Sequence, residues 1–155
     1  MIRFFFLLVL LCLPFGSFAQ QKPKTNIILI DITESMKGYD PSTGTYTNEN
    51  IWPKVKSYLN KSLENNFNEG DSLYLYTFGW ELKEVGAFKI SPSSKNDIKN
   101  VIENIETKVV WTCIYKSLES VFKKHLSSSS SRACQVYLYT DGKDSGTRDC
   151  DTDLF

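Results

Sequence analysis

The sequence predicts an α/β fold: a mostly parallel central sheet, one antiparallel edge strand, and helices on both faces. Three observations carry that prediction. Ile27 to Ile30 is an aliphatic run without polar alternation, the pattern of a strand buried on both faces. Gln135 to Thr140 is a second strand-like run, and each of these runs is followed directly by an aspartate, Asp31 or Asp141. Between them, helical periodicities alternate with further strand patterns, which is the layout of βαβ units.

The chain of 155 residues suffices for one domain and is short for two. Residues 1–19 read as a signal peptide. Arg3 supplies the positive start, Phe4 to Leu13 the apolar core, and Ser17-Phe18-Ala19 a small-x-small site with removal after Ala19. The alternative is an uncleaved anchor, but the apolar run falls short of the ~20 residues that a membrane span needs. Leu11 before Cys12 argues against lipoprotein processing. The reading is therefore an exported chain, periplasmic or secreted, with no stable membrane span once the leader is gone. Residues 20–25, with Pro23, form a flexible lead, and 26–155 form the domain.

Acidic and basic side chains balance at 18 each. Loss of Arg3 with the leader leaves a slight acidic excess. That balance, with no basic cluster, excludes a polyanion-binding class and gives no nucleic-acid partner.

Asn26 to Ile30 is the first strand. Beyond Asp31, Thr33 and Ser35 place two hydroxyls at alternate positions of a short loop. Carboxylate and hydroxyl oxygens suit hard divalent cations, and loops at the carboxyl ends of strands are where open α/β sheets place their sites. Gly38 to Asn50 reads as a polar loop over that face. Ile51, Val55, Leu59 and Leu63 mark a helix from about Ile51 to Phe67, with Pro53 tolerated in its first turn. Gly70 stops it.

Leu73 to Phe78 is the next strand, closed by Gly79. Leu82 to Ile90 alternates more loosely and carries more charge, as an antiparallel edge strand would. Ser91 to Ser94 reads as a turn, with Ser94 and Asp97 resembling a capping box, and Ile98, Val101, Ile102 and Ile105 mark a helix. Thr107 to Trp111 is a connector that delivers Thr112. A third helix runs from Cys113 to about Leu126. Ser127 to Ser131 is a low-complexity, solvent-facing connector.

If the two aspartate-ending strands are neighbours, Asp31 and Asp141 converge above the sheet, and Thr112 brings a further hydroxyl to the same edge. Taken singly, each residue also fits a turn cap or an ordinary turn. Taken in order, Asp-x-Thr-x-Ser (31–35), Gly-Asp-x-Leu-x-x-x-Thr-Phe-Gly (70–79), Thr112 and Tyr-Thr-Asp-Gly (139–142) resemble the von Willebrand factor type A domains. Thr33 stands in place of that family's first serine and keeps the hydroxyl. Glu34 stands where many members have glycine; it either faces solvent or adds a carboxylate.

The resemblance implies a Rossmann-like sheet and a metal-ion-dependent adhesion site formed by Asp31, Thr33, Ser35, Thr112 and Asp141. The implied ion is Mg²⁺, with Mn²⁺ or Ca²⁺ as alternatives, and the implied partner is a protein that donates an acidic residue to the metal. The family's sheet normally continues with two more strand and helix units. The expectation here is an incomplete, C-terminally truncated form that leaves Gln135 to Thr140 as an exposed edge.

Cys113 and Cys150 both fall in loops assigned to the site face and are the preferred disulfide pair. Cys134 opens a strand and reads as a buried small apolar residue. Asp149, Asp151 and Asp153 alternate like the start of a calcium loop but lack its glycine and closing glutamate, so they read as a solvated tail. His125 reads as a surface residue. Tyr74, Tyr76, Tyr137 and Tyr139 read as sheet-face packing.

Two other functions compete with adhesion. An aspartate ending a first strand also opens phosphatases of the haloacid dehalogenase type, but their second carboxylate would fall at Thr33, and Lys143 is the only nearby lysine. The other is a non-functional remnant. One histidine supports no Ser-His-Asp set, and neither a Cys-x-x-Cys motif nor a glycine-rich phosphate loop is present.

Overall fold

The computed structural model describes residues 22–126, 133–142 and 150. Strand β1 (Thr25–Asp31) lies at the centre of the main sheet. It pairs in parallel with β4 (Ser72–Phe78) on one side and with β6 (Cys134–Tyr139) on the other. The charged segment β5 (Leu82–Lys89) runs antiparallel to β4, with a register irregularity at Leu75/Tyr76, and closes the order β5-β4-β1-β6. The central run Ile27 to Ile30 is at most 1% exposed. Burial on both faces accounts for its lack of polar alternation.

Alternate residues of the sheet feed two cores. On one face Ile28, Ile30, Leu73 and Leu75 meet Val55, Leu59 and Leu63 of α1 (Trp52–Asn65) and Ile98 and Ile102 of α2 (Pro92–Glu103). On the other, Ile27, Leu29, Tyr76 and Phe78 meet Val121, Ile114 and Leu118 of α3 (Ile114–Leu126). Helices therefore cover both faces, as the sequence predicts. Among the described residues no helix is long and apolar enough to cross a membrane.

Several local expectations need correction. Ser91 to Ser94 is not a turn ahead of the helix: Ser91 is the N-cap and Pro92 the first helical residue. The capping box is Ser91 with Ser94, the Ser94 amide donating to Ser91 Oγ at 3.1 Å and the Ser91 amide to Ser94 Oγ at 2.9 Å. A serine at the third helical position takes the role usually held by Glu or Gln. The 38–50 stretch is not wholly irregular, because β2 (Tyr39–Asp40) and β3 (Thr45–Tyr46) pair as a small hairpin with the two tyrosine rings 5.2 Å apart. Cys134 is half-buried rather than buried.

His125 is half-buried and does not project freely from the surface. Its ring packs 4.4 Å from that of Tyr74, and Nε2 lies 2.9 Å from Tyr76 Oη. The leader, the serine connector, Lys143 and the acidic tail all lie outside the described residues, and so nothing structural bears on those expectations.

Candidate metal centre

The parallel pairing of β1 with β6 ends at Ile30 opposite Tyr139, which carries Asp31 and Thr140 to the same level at the carboxyl edge. Thr140 donates its hydroxyl proton to Asp31 Oδ2 at 2.8 Å and accepts the Gly142 N–H at 3.1 Å. One threonine thus ties the Asp141-Gly142 turn to the acid of the central strand. Thr140 was not singled out from the sequence, although it directly precedes Asp141; its role follows only from strand register.

The other oxygen of Asp31 organises the loop that follows. Asp31 Oδ1 accepts the Thr33 amide at 2.9 Å and the Thr33 hydroxyl at 2.6 Å. Thr33 Oγ1 lies 2.9 Å from Ser35 Oγ. Asp31 and Thr33 are fully buried, and Ser35 is half-buried at the edge. A 3-10 turn (Glu34–Lys37) then closes on Gly38, whose φ of +86° is left-handed. A Cβ at Gly38 would lie 2.9 Å from Thr47 O and Oγ1, so both dihedral and space require glycine there.

Burial pushes the Asp31 carboxyl above the usual carboxylate range. The hydrogen bonds from Thr33 and Thr140 oppose that shift, and the nearby charge of Asp141 adds to it. The hydrogen-bond partners of Asp31 among the described residues are neutral, and the acid is buried near a second one, Asp141. Such an arrangement is costly unless a cation binds or a proton is taken up.

Asp141 and Ser35 line one open cleft of about 710 Å³, with Asp40, Glu49 and Lys54 on its other walls. Glu34 is half-buried, and its carboxylate interacts with the Tyr46 hydroxyl of the hairpin.

Thr112 arrives by a different route. The connector after α2 runs beside the Asp31 loop: the Lys108 amide donates to Ile32 O at 2.9 Å, and the Glu34 amide to Val109 O at 2.8 Å. Thr33 and Val109 form a parallel bridge. The Cys113 amide then donates to Gly79 O at 3.0 Å, leaving Thr112 only 2% exposed. Cys113 and Cys150 are disulfide-bonded.

The structure therefore links Asp31, Thr33 and Ser35 directly and sets Asp141 beside them. Thr112 is held at the same edge through backbone. Among the described residues no three of His, Cys, Asp and Glu converge to hold a metal. A cation here would rest on two carboxylates and hydroxyls, an all-oxygen set suited to a hard ion.

Residues 26–143 match the family model of the von Willebrand factor type A domain. Solved structures share the fold at low identity. A von Willebrand factor type A protein from Catenulispora acidiphila superposes with a TM-score of 0.65 and 16% identity, over 83% of this chain and 29% of that one. BatB from Bacteroides thetaiotaomicron, a conserved hypothetical protein, gives 0.58 and 17%, over 79% and 56%. The proximal thread matrix protein 1 of the mussel byssus, with a zinc-occupied MIDAS motif, gives 0.57 and 17%, over 81% and 32%. The chain thus spans between about a third and just over half of the length of these proteins. A comparison with curated proteins finds no match.

Proposed function

The chain belongs to the von Willebrand factor type A family, and from that premise we propose that it is an exported module that binds a protein partner through a divalent cation. Asp31, Thr33, Ser35, Thr112 and Asp141 would hold the ion. The observation that carries the reading is the continuous chain from Asp31 through Thr33 to Ser35, with Asp141 across the same cleft. A buried acid raised by desolvation gains from a cation what it lacks from its neutral neighbours.

Mg²⁺ is the ion of choice, since oxygen ligands favour hard cations; Mn²⁺ and Ca²⁺ fit the same donors. The zinc-occupied motif of the mussel protein supports a divalent ion in this family. Hydroxyl ligands donate little negative charge. The bound ion would stay electrophilic, and a partner's Asp or Glu entering by the cleft would complete its coordination. That is recognition rather than turnover.

Calorimetric titration of the chain with Mg²⁺ and Mn²⁺, beside Asp31→Ala and Asp141→Ala, tests the reading. One saturable site lost in both variants is the expected result. Binding that survives both substitutions, or no binding by a chain shown to be folded, would overturn it.

A further inference from the structure

We propose that the Cys113–Cys150 disulfide positions Thr112 for the metal, so that the redox state of this bond and the metal affinity of the site are coupled. The proposal rests on the metal reading above. Its basis is the way residues 112 and 113 are clamped. On one side the Cys113 amide is bonded to Gly79 O; on the other, Cys150 Sγ lies 3.7 Å from the carbonyl oxygen of Thr112. The bond is itself buried, with Cys113 1% and Cys150 7% exposed.

The same bond spans 37 positions of sequence and closes a loop that contains α3, β6 and Asp141. Thr112 directly precedes its first cysteine. The link thus anchors the chain directly after Thr112 to a buried cysteine whose sulfur packs on the Thr112 carbonyl. Of the other proposed ligands, Asp31, Thr33 and Ser35 already sit on one short loop after β1.

A dithiol reduces the bond by thiol–disulfide exchange. The S–S bond breaks, Cys113 and Cys150 each gain a thiol proton, and the dithiol closes to its own cyclic disulfide. The neighbouring Cys113 amide then keeps its bond to Gly79 O, but Thr112 loses the covalently anchored sulfur packed on its carbonyl. Groups that orient ligands without touching the metal commonly change affinity by about 10–100-fold. Coupling between two equilibria is reciprocal, so a bound ion must make the disulfide harder to reduce by the same factor.

The test uses the oxidised parent chain and Mg²⁺, an ion with little affinity for thiols. The ratio of reduced to oxidised dithiothreitol that half-reduces the protein is measured with and without saturating Mg²⁺. We expect Mg²⁺ to raise that ratio at least tenfold, and Thr112→Ala to remove the shift while still forming the disulfide. A Cys113→Ser/Cys150→Ser variant, if folded, should bind Mg²⁺ at least tenfold more weakly.

An unchanged ratio in a parent that does bind Mg²⁺ through Asp31 and Asp141 would overturn this proposal alone. An equal shift in Thr112→Ala would overturn the role of Thr112 in the coupling. A parent that binds no Mg²⁺ would overturn the metal reading, and this one with it.

Discussion

His125 shows how much one residue's environment decides. It follows Lys124 on α3, and the sequence around it is polar, so nothing local marks it for burial. The fold turns it onto Tyr74 and Tyr76 on the inner face of the sheet. Tyr76 donates to Glu84 Oε2 at 2.9 Å, and Lys124 Nζ lies 2.7 Å from the same oxygen. Burial pulls the His125 pKa below its ordinary value of 6.5, with the Lys124 charge acting the same way and Glu84 opposing. The unfolded chain therefore takes up this proton first. Stability contributed by neutral His125 is complete above pH 6.5 and falls as pH drops below it toward the folded pKa. Glu84, held below 4.5 by its bond to Lys124, loses its contribution only below 4.5, in a separate window. Urea denaturation at pH 7.5 and 5.5 should show the parent losing stability between the two, with His125→Gln losing less. Equal losses would contradict the assignment. Asp31 stands at the other extreme of legibility, because an acid ending an unbroken aliphatic strand is readable without any fold.

At the scale of elements, the connector between α2 and α3 matters most, since it brings Thr112 to the edge. It approaches Gly79 so closely that a Cβ there would overlap Val109 Cγ2 and lie 3.2 Å from Trp111 O. Gly79→Ala should cost about 1–3 kcal/mol, as overpacking of a tight contact does. Val109→Ala would relieve the overlap, so the double substitution should cost less than the sum of the two singles. Denaturation of the three variants checks this, and simple additivity would contradict the close approach. The sequence marked Gly79 as the end of a strand and of the 70–79 motif, not as a packing contact. Its tight packing depends on a contact made 30 positions later, which no local pattern carries. The start of α2 was misread for a different reason: serines at 91, 93 and 94 offer several capping registers, and only backbone geometry selects Ser91. The hairpin of residues 39–46 escaped because its strands are two residues long, too short for any periodicity. The disulfide pairing, in contrast, was legible, because both cysteines had already been assigned to one face.

For the whole molecule, the order β5-β4-β1-β6 leaves two edges that differ in kind among the described residues. β5 carries Lys83, Glu84 and Lys89 and is paired to β4 through an irregular register. Charges and bulges of this sort discourage edge-to-edge pairing. β6, Cys-Gln-Val-Tyr-Leu-Tyr, has no charge and no proline, and Leu138 on it is 38% exposed. In the sequence the adjacency of β1 and β6 stood only as a condition, that two strands ending in acids would converge if they were neighbours, and the register supplies it. Self-association of the chain should therefore run through β6. Leu138→Lys puts a charge on the edge and should slow the rise in light scattering on concentration several-fold. Tyr58→Lys on α1 removes a more exposed apolar side chain, 61% accessible, away from either edge, and should leave the rate unchanged. If both variants slow association alike, general surface hydrophobicity is responsible and the edge is not. If neither does, the outer side of β6 is not the surface through which copies meet.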